Sequence, residues 1–381
     1  TNASKTDTDT ATIIDDGTGK KDMNGDGDTS DANEGAGGPG AGYEDDRTLD
    51  VVSGGIFNEA STYATFTVNG QAGYAVNLSL GNTAGATDVD ATIAGFTFEY
   101  STDGGSTWTT YSWNGSSGNR PTIQASSVGS LTGSILVRVN ISSEEEGSSD
   151  VFEGPETFTL TATYATNASK TDTDTATIID DGTGKKDLNG DGDTSDTNEG
   201  AGGPGAGYED DRTIDVAGGL TFNEGSRYAT YTVTAIAGQT VDLILNDGAA
   251  DTATISGFTY EYSLDGGSTW SSSYAYNSNA TGVTVPGTAV GTGTILVRVD
   301  IHSEEESSGV QDGLDVFEGG EPFTFTARYT SNAGKTDTAT DTIADDGTGK
   351  IDNDGDGGAD EGGTKETDGT DTRTLDVVGG I

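Results

Sequence analysis

The chain has 381 residues, and its 64 acidic side chains outweigh 17 basic ones, which gives a formal net charge of −47. This balance excludes nucleic acid, which needs a basic footprint, and makes anionic membrane surfaces poor partners, so the natural small partners are cations. Cysteine is absent, which excludes disulfides and thiolate metal sites. No apolar run approaches the ~20 residues of a direct membrane span.

The sequence repeats itself with a period of 165 residues. Residues 1–50 and 166–215 match at 47 of 50 positions, and a more divergent third copy begins at Ser331. Such repeats indicate an array of equivalent modules, and strand exchange between neighbouring chains is the alternative. The predicted order is the last strand of a preceding module (1–16), an acidic connector (17–46), a first body (47–181), a second connector (182–211), a second body (212–346), a third connector (347–372) and the first strand of a following module (373–381).

The first connector contains the string DMNGDGDTSDANE. Oxygen-bearing side chains at positions 1, 3 and 5, followed by glycine at position 6, can curl a short loop around one hard cation. The glutamate falls at position 13 rather than 12, and no flanking helices are visible, so the string departs from an EF-hand loop. Its predicted ligands are Asp22, Asn24, Asp26, Asp28, Asp31 and Glu34.

The first body reads as a series of half-buried strands. In YATFTV the residues Ala64, Phe66 and Val68 share one face, and ILVRVNI and TFTLTATY alternate in the same way. Period-two alternation with one apolar face is typical of antiparallel strands packed on one side. About seven such strands, separated by glycine-rich turns, predict an all-β fold of tandem Ig-like antiparallel β-sandwiches.

The second half of the chain repeats this organisation. FNEGSRYATYTV, ILVRVDI and DVFEGGEPFTFTARY predict a second sandwich, and two more acidic strings occupy the remaining connectors. The second connector offers Asp187, Asn189, Asp191, Asp193, Asp196 and Glu199. The third connector offers Asp352, Asp354, Asp356, Asp360 and Glu361.

Calcium is the predicted metal of the connectors, with several ions in each. Ligands that are all oxygen exclude a soft metal, and crowded, irregular loops suit the large shell of calcium better than octahedral magnesium. The alternative is a solvated, disordered acidic linker, because charge blocks are commonly disordered. Five or six carboxylates in one loop would repel one another strongly, which favours the metal.

Four motifs carry a resemblance to a known family: Asn-Glu after the first strand, VRV before an acidic run, FEGPETFTLT, and a closing Asp-Asp pair. Both bodies resemble the Calx-beta-like, immunoglobulin-like modules repeated in giant bacterial surface adhesins, including the RTX type. The resemblance implies calcium at the module ends. It places the ligands at Glu59, Glu153, Asp180 and Asp181 in the first body and at Glu224, Glu318, Asp345 and Asp346 in the second.

The expected function is structural: an extracellular or bacterial cell-surface fibre or adhesin segment that calcium makes rigid, in adhesion, biofilm or filament formation. The expected partners are further copies of the module in cis and, in a filament, self-association. Nothing indicates an enzyme, and the STDGGSTW and SLDGGSTW strings are interpreted as structural Asp-box turns. The alternative is a glycan- or ligand-binding module that uses Tyr111, Trp113, Tyr274 and Tyr276.

Overall fold

The computed structural model describes residues 8–13, 17–26, 28–31, 34–36, 44–82, 95–115, 118–144, 152–201, 208–247, 257–275, 281–287, 291–302, 319–344, 346 and 348–358. Within these ranges the regular structure is β, and no helix is long and apolar enough to cross a bilayer. The predicted end strand at 373–381 lies outside the described residues. Of the segment 1–16, the described part, 8–13, contains no strand.

The strands of the first half begin with a short pair in the first connector and continue through the first sandwich. They are β1 (Lys20–Lys21), β2 (Gly35–Ala36), β3 (Leu49–Ser53), β4 (Ile56–Asn58), β5 (Tyr63–Gln71), β6 (Val76–Asn82), β7 (Thr97–Ser101), β8 (Thr109–Thr110), β9 (Ser112–Trp113), β10 (Gly118–Asn119), β11 (Gln124–Ala125), β12 (Thr132–Asn140), β13 (Glu156–Tyr164) and β14 (Thr171–Ile179).

The strands of the second half follow the same plan. A short pair lies in the second connector, and the second sandwich follows it. They are β15 (Lys185–Lys186), β16 (Gly200–Ala201), β17 (Ile214–Ala217), β18 (Thr221–Asn223), β19 (Tyr228–Ile236), β20 (Thr240–Asp247), β21 (Thr259–Ser263), β22 (Tyr274–Ala275), β23 (Thr281–Thr284), β24 (Thr292–Asp300), β25 (Glu321–Tyr329) and β26 (Asn332–Ala344).

Each body is a sandwich of two sheets, as the sequence predicts. In the first, the order β3-β5-β12-β7-β8 faces the order β4-β14-β13-β6; in the second, β17-β19-β24-β21-β22 faces β18-β26-β25-β20-β23. Neighbouring long strands are antiparallel, while β4 and β18 pair in parallel with the last strands β14 and β26. Each sandwich has its own apolar core.

The predicted inward residues form those cores. Ala64, Phe66 and Val68 of β5 are at most 1% exposed, and Val137 of β12 lies opposite Phe66. Aromatic rings join the sheets: the centroids of Phe66 and Phe158 are 5.8 Å apart with an edge-to-face geometry. Such pairs contribute about 0.5–1.5 kcal/mol beyond their buried area.

Aspartates on the last strand close the open edge of the first strand. The carboxylates of Asp172 and Asp174 accept hydrogen bonds of 2.7 Å from the backbone nitrogens of Val51 and Ser53. A first strand at a sheet edge would otherwise present unpaired N–H groups, which invite pairing with other chains. The TDTDT string thus protects an edge as well as forming a strand.

The second connector extends a sheet of the first sandwich. Strand β15 pairs in parallel with β4, so β15 and β16 continue the order of that sheet outward. The third connector starts in the same way, because Lys350 forms a parallel bridge with Phe222 of β18. The second and third connectors therefore each begin on the sandwich that precedes them, which the spacing of acidic residues did not predict.

Candidate metal sites

We call residues 22–34 loop 1, residues 187–199 loop 2 and residues 352–358 loop 3. In loop 1 every second side chain caps the backbone ahead of it. Asp22 Oδ1 accepts from the Gly25 nitrogen at 2.6 Å, and Asn24 Oδ1 accepts from the Asp26 nitrogen at 2.8 Å. This curling brings one carboxylate oxygen each of Asp22, Asp26 and Glu34 within 4.8 Å of one another. The 1-3-5 spacing therefore gives a compact oxygen cluster.

Loop 2 repeats the internal hydrogen bonds of loop 1. The Asn24 amide nitrogen lies 2.8 Å from an Asp31 oxygen and 3.0 Å from an Asp26 oxygen, and Asn189 makes the same contacts with Asp196 and Asp191. A small donor group is thus held between two carboxylates. A cation at that place would bind the same two carboxylates and compensate far more of their charge than the amide does. The amide would then turn its oxygen toward the cation.

The glutamates at position 13 close the loops. Glu34 Oε1 accepts from the backbone nitrogen of Met23 at 2.8 Å, and Glu199 Oε1 accepts from that of Leu188 at the same distance. The second oxygen of each glutamate is buried and has no hydrogen-bond partner among the described residues. A buried carboxylate oxygen without a donor is costly, and a bound ion would remove that cost.

Two predicted ligands cap the next turn. Asp28 Oδ1 accepts from the nitrogen and hydroxyl of Ser30 at 2.8 and 2.9 Å, and Asp193 does the same with Ser195. These hydrogen bonds lower the pKa of Asp28, and the bond from the Ser30 backbone nitrogen has the largest effect. Both carboxylates are exposed, and at least one oxygen of each serves this turn.

In loop 3 the residues at positions 1, 3 and 5 are all aspartates, and their carboxylates lie close together. Oxygens of Asp352, Asp354 and Asp356 lie within 4.8 Å of one another. The predicted closing residues Asp360 and Glu361 lie outside the described residues. Like-charged groups this close repel by about 4 kcal/mol per pair at an effective dielectric of 20.

Loop 2 packs against the first sandwich at Asp187, which is 1% exposed. The Asp187 carbonyl accepts from the Tyr63 nitrogen at 3.1 Å and from the Ser61 hydroxyl at 2.9 Å, and its own nitrogen donates to that hydroxyl at 2.8 Å. Its carboxylate accepts from Gly190 and Gly192 inside the loop. Burial, followed by the charges of Glu199 and Asp191, raises the pKa of Asp187 to about 6. Asp187 therefore belongs both to the acidic loop and to the surface of the sandwich.

Arg138 of the first sandwich also contacts loop 2. The Arg138 guanidinium lies 4.5 Å from the ring centre of Tyr63 and 4.1 Å from that of Trp108, and it pairs with Glu99 at 2.6 Å. It also donates to the Asn189 carbonyl oxygen. We call Ser61, Tyr63 and Arg138 the platform of the first sandwich.

The second sandwich has an equivalent platform under loop 3. Asp352 bonds to Ser226 and Tyr228, and Arg298 lies 4.0 Å from the Trp270 ring centre and donates to the Asp354 carbonyl at 3.0 Å. Neither arginine was predicted as part of a site from the sequence. The available signal was that basic residues are scarce and yet recur at this equivalent position of each VRV motif.

Loop 1 is more exposed than loop 2 over the residues that the structure describes. Met23 is 67% exposed and Asp22 is exposed, whereas the equivalent Leu188 is partly buried and Asp187 is buried. The internal hydrogen bonds of the two loops nevertheless coincide. The two loops therefore share these internal hydrogen bonds although their exposure differs.

A second acidic cluster lies at the end of the first sandwich where β14 stops. One cleft, the pole cleft, is lined by Glu59, Glu144, Glu153, Glu156 and Asp180. Glu59, Glu156 and Asp180 are at most 6% exposed. The structure thus brings together three residues that the family resemblance implied, and it adds Glu144 and Glu156.

The pole cleft strongly disfavours ionised carboxyls in the absence of a cation. Burial, together with a hydrogen bond to Glu144 and neighbouring charges, raises the pKa of Glu156 to about 9. Burial raises the pKa of Asp180 to about 6, although its Oδ2 accepts from the Glu153 nitrogen at 2.6 Å. Asp180 Oδ1 is buried without a hydrogen-bond partner among the described residues. Such shifts mark a site that needs a cation or protons.

The remaining predicted ligands have different environments. Asp181 and Asp346 cap the turns at Thr183 and Thr348 with hydrogen bonds of 3.0 Å to the backbone nitrogens. Glu224 is 5% exposed and occupies the position of Glu59 in the second sandwich. Glu318 and Asp345 lie outside the described residues.

The two sandwiches meet beside the pole cleft through a buried arginine. Arg212 donates to the Asp181 carbonyl at 2.7 Å, to Ser331 at 2.8 Å and to Asp210 at 2.6 Å. The Asp211 nitrogen donates to the Asp180 carbonyl at 3.0 Å, and Phe152 packs against the core of the second sandwich. We call this contact the joint.

The Asp-box strings form structural turns, in agreement with their interpretation. Asp103 accepts from the nitrogen and hydroxyl of Thr107 at 2.8 and 2.6 Å, which lowers the pKa of Asp103 to about 2. Two of the aromatic residues predicted for a glycan- or ligand-binding module pack against neighbouring rings. Tyr111 stacks on Phe98, and Tyr274 stacks on Tyr260. Tyr276 and the side chain of Trp113 lie outside the described residues.

Neither a family model nor a curated protein sequence matches the chain. Among solved structures, it is similar to the periplasmic chaperone SfaE (10% identity, 77% of this chain and 100% of that one, TM-score 0.21). It is also similar to zebrafish RET cadherin-like domains 1 to 4, with 10% identity over 79% of this chain and 52% of that one and a TM-score of 0.23. A third similar structure is the MSCRAMM ACE of Enterococcus faecalis, with 8% identity over 78% of this chain and 94% of that one and a TM-score of 0.17. Overall superposition is poor at these TM-scores, so the β-sandwich assignment rests on this chain's own sheets.

Proposed function

We propose that the chain is a structural repeat segment of an extracellular or bacterial cell-surface fibre or adhesin, with calcium bound in its loops and at the ends of its sandwiches and no catalytic role. It is of the kind that the Calx-beta-like resemblance implies. Further copies of the module are its partners in cis, and the segment acts in adhesion, biofilm or filament formation. The acidic charge and the tandem sandwiches both suit an extended, soluble spacer.

The observation that carries this proposal is the set of buried carboxylate oxygens without hydrogen-bond donors. Among the described residues, the oxygens of this kind that lie in acidic groups belong to Glu34, Asp180, Glu199 and Asp211. Native proteins satisfy nearly all buried polar atoms, and a buried ionised carboxylate without a partner costs several kcal/mol. Each of these oxygens sits beside other carboxylates, so a divalent cation is the partner that satisfies a whole group at once.

Calcium fits the donor sets better than other ions. The donors are carboxylates, amide oxygens and backbone carbonyls, which excludes thiolate- and imidazole-preferring metals. The loops and the pole cleft present many oxygens in irregular arrangements, and calcium accepts six to eight such ligands at ~2.4 Å, whereas magnesium demands a near-octahedral shell.

The contacts of loop 2 suggest how calcium would stiffen the array. Cation binding fixes the Asp187 carboxylate, and the Asp187 backbone holds Ser61 and Tyr63, so an occupied loop clamps the sandwich that precedes it. The pole cleft adjoins the joint through Asp180 and Asp211. Calcium there would neutralise charges that otherwise push the two sandwiches apart.

Calcium titration of the intact chain tests the proposal. Isothermal calorimetry and thermal unfolding are run in calcium, in magnesium and in chelator. We expect several sites and a melting temperature that rises with free calcium, because a ligand that binds only the folded state stabilises it by mass action. An equal effect of magnesium at the same concentration, or no change on chelation, would rule out the calcium role.

A further inference from the structure

The two sandwiches differ in how they hold the turn between their first two strands. In the first sandwich, Asp174 on the last strand accepts from the Ser53 nitrogen at 2.7 Å, and the Ser53 hydroxyl accepts from the Gly55 nitrogen at 3.0 Å. The second sandwich has Ala339 and Gly218 at the positions of Asp174 and Ser53. Neither side chain can accept a hydrogen bond, so this turn needs another support.

A buried carboxyl supports the turn of the second sandwich. Asp341 on β26 is 0% exposed, and its Oδ1 accepts from the nitrogens of Gly219 and Leu220 at 2.7 and 2.8 Å. The first sandwich has Ala176 at the position of Asp341. The aspartate that holds the turn has thus moved two residues along the last strand, from the sheet edge into the core.

A tyrosine accompanies this aspartate. Tyr231 stands where the first sandwich has Phe66, and it is 1% exposed. The Tyr231 hydroxyl and Asp341 Oδ2 are both buried without a hydrogen-bond partner among the described residues. They lie close enough to interact, because burial and then the charge of Asp341 raise the pKa of Tyr231 well above its ordinary value. Buried polar atoms without partners are costly, so this pair needs an explanation.

We propose that Asp341 and Tyr231 form a proton-dependent lock, in which the neutral Asp341 carboxyl holds the turn of the second sandwich and the loss of its proton loosens that turn. A proton on Oδ2 removes the buried charge and gives the carboxyl a donor for the Tyr231 hydroxyl oxygen, while Oδ1 keeps both backbone bonds. Neither residue is a predicted metal ligand, so the lock goes beyond the proposed function and does not rest on it.

The groups around Asp341 give the direction of the pH dependence. Tyr231 faces it from β19, Phe323 lies opposite on β25, and Lys350 of the third connector, itself 3.8 Å from Asp352, adds a positive charge. Burial, the largest cause, raises the pKa of Asp341 although the backbone N–H groups of the turn, Tyr231 and Lys350 lower it. From about pH 4 up to this raised pKa, the folded state keeps a proton that the unfolded chain loses. The free energy of unfolding therefore falls as pH rises through that window.

The turn also adjoins the start of the third connector. Strand β18 follows the turn, and the Lys350 nitrogen donates to the Thr221 carbonyl of this strand at 2.8 Å. Leu220 of the turn and Asp356 of loop 3 line the same groove. A turn that loosens as pH rises would therefore weaken the attachment of this connector to the second sandwich.

Amide hydrogen exchange of the intact chain in chelator, followed by NMR, tests the lock. After correction for the intrinsic pH dependence of exchange, we expect the protection of the Gly219 and Leu220 amides to fall several-fold between pH 4 and neutral pH. This fall should exceed that of the β25–β26 ladder, which reports opening of the whole sandwich. No fall at the turn, or an equal fall in the ladder, would overturn the proposal.

A matched pair of variants identifies the titrating group. Asp341→Asn keeps an oxygen acceptor for the turn and offers an amide to the Tyr231 hydroxyl, but it cannot titrate, so the turn should stay protected without the pH dependence. Asp337→Asn is the control on the same strand, where the carboxylate accepts from the Val216 nitrogen at 2.7 Å, and the pH dependence should persist. A pH dependence that survives Asp341→Asn, or one that Asp337→Asn abolishes, would contradict the lock.

Tyr231→Phe tests the other half of the lock with the residue that the first sandwich already accommodates. The hydroxyl lowers the pKa of Asp341, because it bonds the ionised carboxylate more strongly than the neutral acid. Its removal should therefore move the loss of protection at Gly219 and Leu220 to higher pH. A window that does not move would remove Tyr231 from the lock and overturn the pairing. All of these measurements are made in chelator, so they stand or fall separately from the calcium proposal.

Discussion

At the residue scale, Asp180 combines opposite requirements. Its Oδ2 accepts from the nitrogens of Glu153 and Gly154, while its Oδ1 has no hydrogen-bond partner among the described residues and lies in a cleft of other carboxyls. In the absence of metal the charge on this carboxyl opposes folding at neutral pH, since burial raises its pKa to about 6. A cation would turn the same charge into a stabilising ligand.

The effect of Asp180→Asn on the free energy of unfolding should therefore have opposite signs in chelator and in calcium. In chelator at neutral pH we expect stabilisation by roughly 1–3 kcal/mol, because a pKa shift of one unit corresponds to ~1.4 kcal/mol and the amide oxygen can keep the backbone bonds. In calcium we expect destabilisation and the loss of one site by calorimetry. Denaturant unfolding under both conditions measures this. Asp103→Asn is the control, and it should destabilise in both because its carboxylate caps a turn. A loss of stability in both conditions for Asp180→Asn would contradict the metal role.

Arg138 couples loop 2 to the sandwich through a geometry that lysine cannot copy. Its planar group stacks on Tyr63 and Trp108 while it pairs with Glu99 and reaches the Asn189 carbonyl. Arg138→Lys should cost about 1–2 kcal/mol, since each cation–π contact contributes about 0.5–1 kcal/mol and lysine lacks the fork.

Calorimetry distinguishes coupling from simple loss of packing. Arg138→Lys should weaken calcium binding at loop 2, and Arg298→Lys should do the same at loop 3, while loop 1 keeps its affinity in both variants. Calcium affinities that stay unchanged in all loops would leave the arginine with a packing role alone.

At the element scale, the strands were largely predictable and the packing of the loops was not. Alternation places Phe66 and Val137 inward from local sequence alone, and the 1-3-5 spacing predicts the cluster of Asp22 and Asp26, because both patterns depend on residues a few positions apart. The contact of Asp187 with Ser61 spans 126 positions. Spacing carries no information about such a partner, so the loops were predicted as connectors rather than as clamps on the preceding sandwich.

The acidic clusters also give the fold a pH dependence whose sign depends on calcium. Asp180 and Asp187 have pKa values raised to about 6, and Glu156 to about 9, against ~4 in the unfolded chain. The folded state then holds more protons than the unfolded state between pH 4 and those values, so stability falls as pH rises through that window.

The expected result is a melting temperature in chelator that is highest near pH 4–5 and declines toward pH 9. Below that optimum stability should fall again, because Asp103 has a pKa lowered to about 2 and loses its turn contacts when protonated. Saturating calcium should remove the fall in melting temperature toward pH 9, since the ionised carboxylates are then calcium ligands. Differential scanning calorimetry at fixed ionic strength measures both curves. A decline toward pH 9 that calcium leaves unchanged would contradict metal binding at these carboxyls.

At the scale of the whole molecule, the relation between the sandwiches depends on the joint as well as on metal. Arg212 is buried between Asp210 and the Asp181 carbonyl and lies 4.2 Å from the Tyr329 ring centre. At the other end, Arg47 holds Asp45 and stacks on Tyr164 in the same way, without a second described sandwich beside it. The two arginines are thus a matched pair, one at the start of each sandwich.

Arg212→Gln should therefore loosen the array where Arg47→Gln does not. The first change removes the donor to the Asp181 carbonyl, so we expect small-angle scattering in calcium to give a broader distribution of distances between the sandwiches. The second change destabilises the first sandwich to a similar degree but should leave that distribution unchanged. Chelation of the unmodified chain should broaden it as well, because the charges of Asp180 and Asp211 then repel across the joint. If scattering is insensitive to both chelation and Arg212→Gln, the rigidity of the segment has another origin.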